Sequence, residues 1–141
     1  FNMQRTFFKT AAILAMISVM LGAFGAHALK EHLTEQSLDS FQTATTYMMT
    51  HAIGLFIVGM NYRHYKKKAM LWSGNFFVMG IIFFSGSIYL RIVLTYLGFE
   101  KLNIINLITP FGGLMFILGW LMMFVSIPPR EHPEKVPKAN E

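Results

Sequence analysis

The sequence predicts an all-α polytopic membrane protein, an antiparallel four-helix transmembrane bundle, and three observations carry that prediction. Four stretches, residues 10–29, 40–62, 69–90 and 102–129, contain no charged side chain. At about 1.5 Å of rise per residue, each can cross a hydrocarbon core of about 30 Å. Composition leans the same way, with 54% apolar, 15% aromatic and only 13% charged residues and a positive mean hydropathy, far from the balance of a soluble domain. Lysine and arginine, finally, collect on alternate connections, the pattern left when basic residues stay on one side of a bilayer.

The apolar runs are continuous, without the ten-residue alternation of a membrane barrel, so the spans are expected to be helices that satisfy their own backbone groups. Boundaries fall at about 7–29, 41–61, 70–94 and 103–127, making 1–127 one bundle and 128–141 a proline-rich, charged tail expected to be disordered and cytoplasmic. In the first span, Arg5 and Lys9 ahead of an apolar run that ends at Ala26-His27-Ala28 resemble a secretory signal with a small-x-small cleavage site. Ala11, Ala15, Ser18, Gly22 and Gly25 recur at helical intervals, however, and read as the packing seam of a retained span. The polar segment 30–40 offers two caps, Thr34 and Ser37, and is expected to form a brief interfacial helix. The second span carries Tyr47 and His51 four residues apart, on one face. The third has Ser73, Gly80 and Ser87 at seven-residue intervals, with Gly86 beside them, and closes near Arg91, which is expected to snorkel to headgroups or reach Glu100. In the fourth, Gly112, Gly113, Gly119 and Ser126 supply small positions, and Pro110 lacks the amide hydrogen that would close the ladder near Asn106.

Orientation follows from the basic residues. Arg5, Lys9, Arg63, Lys66, Lys67, Lys68, Arg130, Lys135 and Lys138 mark one side, while the opposite connections hold Lys30 and Lys101 among acidic neighbours. Both termini are therefore expected in the cytoplasm. Tyr62, Tyr65 and Trp72 would anchor the inner boundary, and Tyr89 and Tyr96 the outer one.

Several function classes lack their parts. There is no cysteine, hence no disulfide, thiolate metal site or Cys nucleophile. The net charge of +5 is distributed as membrane flanks rather than as a patch with stacking aromatics, so nucleic acid is not an expected partner. No HExxH, phosphate loop, intramembrane carboxylate or grouped nucleophile, base and acid occurs, so neither catalysis nor a metal is expected. Haem ligation by His27 and His51 is disfavoured by a depth offset on the order of 12 Å, and no cofactor is expected. The methionines read as flexible core filler.

Depth also groups eight polar residues: His27, Tyr47, His51, Ser85, Ser87, Tyr89, Asn106 and Thr109 all fall in the predicted outer half. Lipid satisfies none of them, so they are expected to converge between helices. Such a knot is either a lock, each interhelical hydrogen bond contributing roughly 0.6–2 kcal/mol, or a crevice that holds a polar headgroup or relays protons. The lock is the preferred reading. The glycines Gly22, Gly25, Gly80, Gly86, Gly112, Gly113 and Gly119 are assigned to helix packing.

The strings Gly22-Ala23-Phe24-Gly25-Ala26-His27, Phe41-Gln42-Thr43 with Tyr47 and His51, Phe84-Ser85-Gly86-Ser87-Ile88-Tyr89, and Thr109-Pro110-Phe111-Gly112-Gly113 with Gly119-Trp120 resemble, in order, those of the YgdD-like small membrane proteins, classed as domain of unknown function 423. The resemblance covers about residues 10–125 and implies four transmembrane helices, bacterial inner membranes with mitochondrial relatives in animals, and no established activity. Arg91 is not part of that pattern. The expected function is that of a non-catalytic accessory or envelope-stabilising membrane component, with membrane lipids and either a larger membrane complex or further copies of the chain as partners. The alternatives are a small transporter or channel formed by an oligomer, and a headgroup-binding protein using the outer crevice.

Overall fold

The computed structural model describes residues 2–65, 67–99 and 103–129, and among them every regular element is helical. Helix α1 (Met3–Phe24) runs on into a π-helical turn, Gly25–Leu29; α2 is Glu35–Asn61; α3 (Lys67–Gly80) passes through a second π-helical turn, Ile81–Ser85, into α4 (Gly86–Tyr96); α5 is Asn103–Ser126. The tail residues 130–141 lie outside the described residues, as do Lys66, Glu100 and Lys101.

Local chemistry sets the ends. Thr34 adopts an extended backbone and its Oγ1 accepts from the Ser37 amide at 3.3 Å, capping α2. The segment expected to form a separate interfacial helix is thus not separate: from Glu35 onward it is the first turns of α2, because the cap falls at Thr34 and nothing interrupts the helix before Asn61. At the end of α4, Gly98 takes φ 88°, a left-handed conformation that suits glycine, and the Phe99 amide closes back on the Leu94 carbonyl at 3.0 Å. Pro110 sits inside α5, one ladder bond short.

Successive rods run antiparallel, and two pairings dominate: α1 lies on α2, and α3 lies on α5. Helix α2 also touches α3, the second π turn and α4, so it joins the two pairs. A stripe at helical spacing, Ala44, Met48, Ala52, Leu55 and Gly59, is buried along it. The core closes around Phe7, Met48, Leu55, Val58, Met70, Phe77 and Phe116.

The outside is as apolar as the inside. Leu107 and Phe124 on α5 are 75% and 74% exposed, and Val19 and Met20 on α1 are 62% and 63% exposed. Apolar side chains facing outward along rods of 22 to 27 residues are what lipid, not water, stabilises. Among the described residues three rods are long and apolar enough to cross a membrane: Met3–Leu29, Lys67–Tyr96 and Ile104–Ser126. Four spans are expected from the sequence. Helix α2 has the length, 27 residues, but Gln42, Thr43, Thr45, Thr46, Thr50 and His51 dilute its apolar content.

We call the end where α1 begins and α2 finishes the near end, and the end where α1 finishes and α2 begins the far end.

Candidate functional site

Hydrocarbon offers no partner to a hydroxyl, an imidazole or an indole N–H, so each such group inside these rods has to bond to another helix or to its own backbone. The imidazole of His51 sits midway along α2, 5% exposed, in a box of rings. It stacks face to face on Phe116, centroids 3.5 Å apart and planes 10° apart, with Tyr47, Phe77 and Trp120 around it. The Trp120 indole donates to His51 Nε2 at 3.2 Å. An indole nitrogen only donates, so Nε2 is the acceptor, and the ring hydrogen resides on Nδ1, which donates to the Tyr47 carbonyl at 2.8 Å. Both ring nitrogens are engaged.

The hydroxyls work in a different way, mostly against backbone carbonyls. Ser18 on α1 donates to the Thr45 carbonyl at 3.0 Å, and Ser85 donates to the Ala44 carbonyl at 2.7 Å. Thr45 Oγ1 in turn pairs with the Tyr89 hydroxyl at 2.9 Å. Ser87 and Thr109 hydroxyls share a 2.6 Å bond between α4 and α5, and Ser73 donates to the Gly119 carbonyl at 2.8 Å between α3 and α5. Ser85 and Ser87 serve different neighbours because side chains two residues apart on a helix point about 200° apart. Among the described residues no buried side-chain nitrogen or oxygen lacks a partner.

The eight residues expected to meet therefore do not meet in one knot. Tyr47 and His51 share the aromatic box, and Tyr47 remains 43% exposed. Ser85, Ser87, Thr109 and Tyr89 are placed in separate interhelical bonds. His27 is exposed in the first π turn, and Asn106 is exposed at the rim of a far-end crevice. The grouping by depth ignored which face of its helix each residue occupies, and faces decide contact.

The glycines divide as well. A Cβ on Gly25 would come within 2.7 Å of the Phe41 ring, and one on Gly119 within 2.5 Å of Phe77. Gly80 lies directly under the Phe116 ring, and Gly112 lies against the backbone of Phe83 and Phe84. Gly22, Gly86 and Gly113 leave ordinary contact distances of 3.8, 4.0 and 3.9 Å. Three seats were not anticipated: Gly54 beneath Phe77 at 3.1 Å, Gly59 beneath Phe8 at 3.0 Å and Gly74 beneath Phe7 at 2.6 Å. Trp120 and Thr45, both hydrogen-bonded across helices, were also missed as site residues. The small-residue stripe along α2 from Ala44 through Ala52 to Gly59 was the available signal for that helix's seam.

Rods of membrane-crossing length, apolar outside and cross-linked by hydrogen bonds within, define an integral membrane helix bundle. Residues 21–113 match the family described as Protein of unknown function (DUF423). A UPF0382 membrane protein of Staphylococcus epidermidis is 36% identical, over 87% of this chain and 95% of its own length. The UPF0382 membrane protein YwdK of Bacillus subtilis is 34% identical over 87% of this chain and 96% of its own. A UPF0382 membrane protein of Schizosaccharomyces pombe is also 34% identical, over 85% and 99%. The chain belongs to the DUF423 family. No solved structure matches it.

Proposed function

We propose that this protein is a non-catalytic component of the bacterial inner membrane, acting through packing as an accessory subunit of a larger assembly or as a stabilising element of the envelope. What supports this reading is the saturation of its interior: every buried polar side-chain atom among the described residues is taken up by another part of the same chain. A pathway for protons or solutes needs groups left over to bind and release the passenger. His51, the one buried histidine among the described residues, has neither nitrogen to spare. Catalysis has no grouped nucleophile, base and acid to draw on.

In the same proposal α2 is the fourth crossing and both termini are cytoplasmic. Helix α2 is 27 residues long and lies antiparallel to neighbours that have spanning length and hydropathy. Its polar groups face acceptors and donors on those neighbours rather than lipid. Arg63, Lys67 and Lys68 sit at the near end together with Arg5 and Lys9.

Two measurements test this. The chain has no cysteine, so single-cysteine reporters are unambiguous. Ser37→Cys is expected to react with an impermeant thiol reagent from outside the cell and Arg63→Cys to be shielded. Labelling of both from one side would remove α2 as a crossing, and the reverse pattern would invert the topology. In proteoliposomes the purified protein is expected to support no proton or ion flux above empty vesicles, whereas sustained flux would replace the packing role with transport.

A further inference from the structure

At the far end a crevice of about 570 Å³ opens between the start of α2, the last turns of α4 and the first turns of α5. Ser37, Ser40, Thr95, Asn106 and Thr109 line it, and Arg91 is its one charged side chain among the described residues. Among the described residues no carboxylate lines it. Ile92 forms part of this wall and also of a second recess, about 520 Å³, on the other side of α4. That recess is a groove between the end of α1 and α4, lined by Phe24, Leu29, Phe41, Tyr96 and Leu97, and almost wholly apolar. One helix thus separates a basic, hydroxyl-rich cleft from a greasy slot, and both lie at the same end of rods long enough to span a bilayer.

We propose that this end of the bundle holds one anionic phospholipid, its phosphodiester against Arg91 and one acyl chain in the groove beyond Ile92. A guanidinium presents paired N–H donors that match two phosphate oxygens, and it is more weakly hydrated than an ammonium group. The Ser37 and Thr95 hydroxyls, whose hydrogens are not used among the described residues, and the Asn106 amide can donate to the remaining headgroup oxygens. Arg91 and Thr95 lie within the last two turns of α4, the depth at which the headgroup layer begins when the rod spans. Simple snorkelling requires only an arginine near a helix end. Here the arginine stands in a walled cleft with donors from three helices, next to a slot of the chemistry an acyl chain takes. A cleft whose one charge among the described residues is a cation favours a net-negative headgroup over a zwitterionic one.

The test uses the full-length protein in mild detergent, titrated with dioleoyl phosphatidylglycerol and read by native mass spectrometry. One lipid is expected to be retained per chain. Arg91→Gln, at an exposed position, is expected to keep the helical circular-dichroism signal and to weaken retention by about tenfold, the scale of one charge-assisted hydrogen bond. Val93→Trp, which fills the groove from an exposed site, is expected to weaken it too without touching the cleft. Dioleoylglycerol, with the same chains and no phosphate, should not be retained, and millimolar inorganic phosphate should not displace the lipid. Retention unchanged by Arg91→Gln, or equal binding of dioleoylglycerol, would overturn the proposal. Displacement by inorganic phosphate would assign the cleft to a free anion and would overturn the lipid assignment.

Discussion

The near half of the bundle leans chiefly on rings set into glycines and the far half chiefly on hydroxyl bonds, with Ser73 bonded to the Gly119 carbonyl in the near half and Gly25 seated under Phe41 in the far half as exceptions. Toward the near end, rings are set into glycines: Phe7 on Gly74, Phe8 on Gly59, and Phe77 wedged between Gly54 and Gly119. Toward the far end, hydroxyls join the helices: Ser18 and Ser85 to carbonyls of α2, Tyr89 to Thr45, and Ser87 to Thr109. The first device relies on dispersion contacts, each small and summed over a whole ring face, and it tolerates no added volume. The second relies on single bonds, and double-mutant cycles in membrane proteins put such bonds near 0.6 kcal/mol with a maximum of about 1.7. One bundle thus reaches close helix approach by two routes, and the glycine route is the less forgiving.

Substitutions rank that difference. Gly112→Ala at the middle of the bundle meets backbone atoms of Phe83 and Phe84, which cannot rotate aside. It is expected to cost about 3 kcal/mol in reversible unfolding by sodium dodecyl sulfate titration. Gly119→Ala pushes into Phe77, which is fully buried, and should cost about 2 kcal/mol. Ser85→Ala removes one interhelical bond and leaves a carbonyl that still accepts within its own helix, for a loss of about 1 kcal/mol in the same titration. If Ser85→Ala proved costlier than Gly119→Ala, the distinction between the halves would fail. Trp120→Phe keeps an aromatic ring and deletes the donor to His51 Nε2, with an expected loss of about 1 kcal/mol or less and a shift in the His51 ring nitrogen resonances. Gly86→Ala should stay within about 0.5 kcal/mol of wild type, because its Cβ would meet nothing closer than 4.0 Å and alanine is the better helix former.

Much of the fold was legible because its cause is one-dimensional. An uncharged run of about 20 residues reads as a membrane helix whatever it packs against, and the small residues Gly25, Gly80, Gly112 and Gly119 marked close approaches that the structure contains. Partners were far less legible. Ser18, Ser73 and Ser85 bond to carbonyls of Thr45, Gly119 and Ala44, and a backbone carbonyl leaves no signature in the residue type that carries it. His51 was singled out as an intramembrane histidine, but its partner lies 69 residues away on α5, outside any spacing rule. His27 and Asn106 were grouped with it on depth alone, a coordinate blind to rotation about the helix axis.

Helix α2 has one further consequence. It is the rod that the others bond to, and its threonines, glutamine and histidine make it the poorest of the four at partitioning into oil unaided. Synthesis delivers α1 first, and in the folded chain Ser18 and Gly25 meet Thr45 and Phe41 of α2. With α2 as the proposed fourth crossing, retention of that segment is expected to depend on docking against α1, and insertion of the two as a hairpin is the expected route.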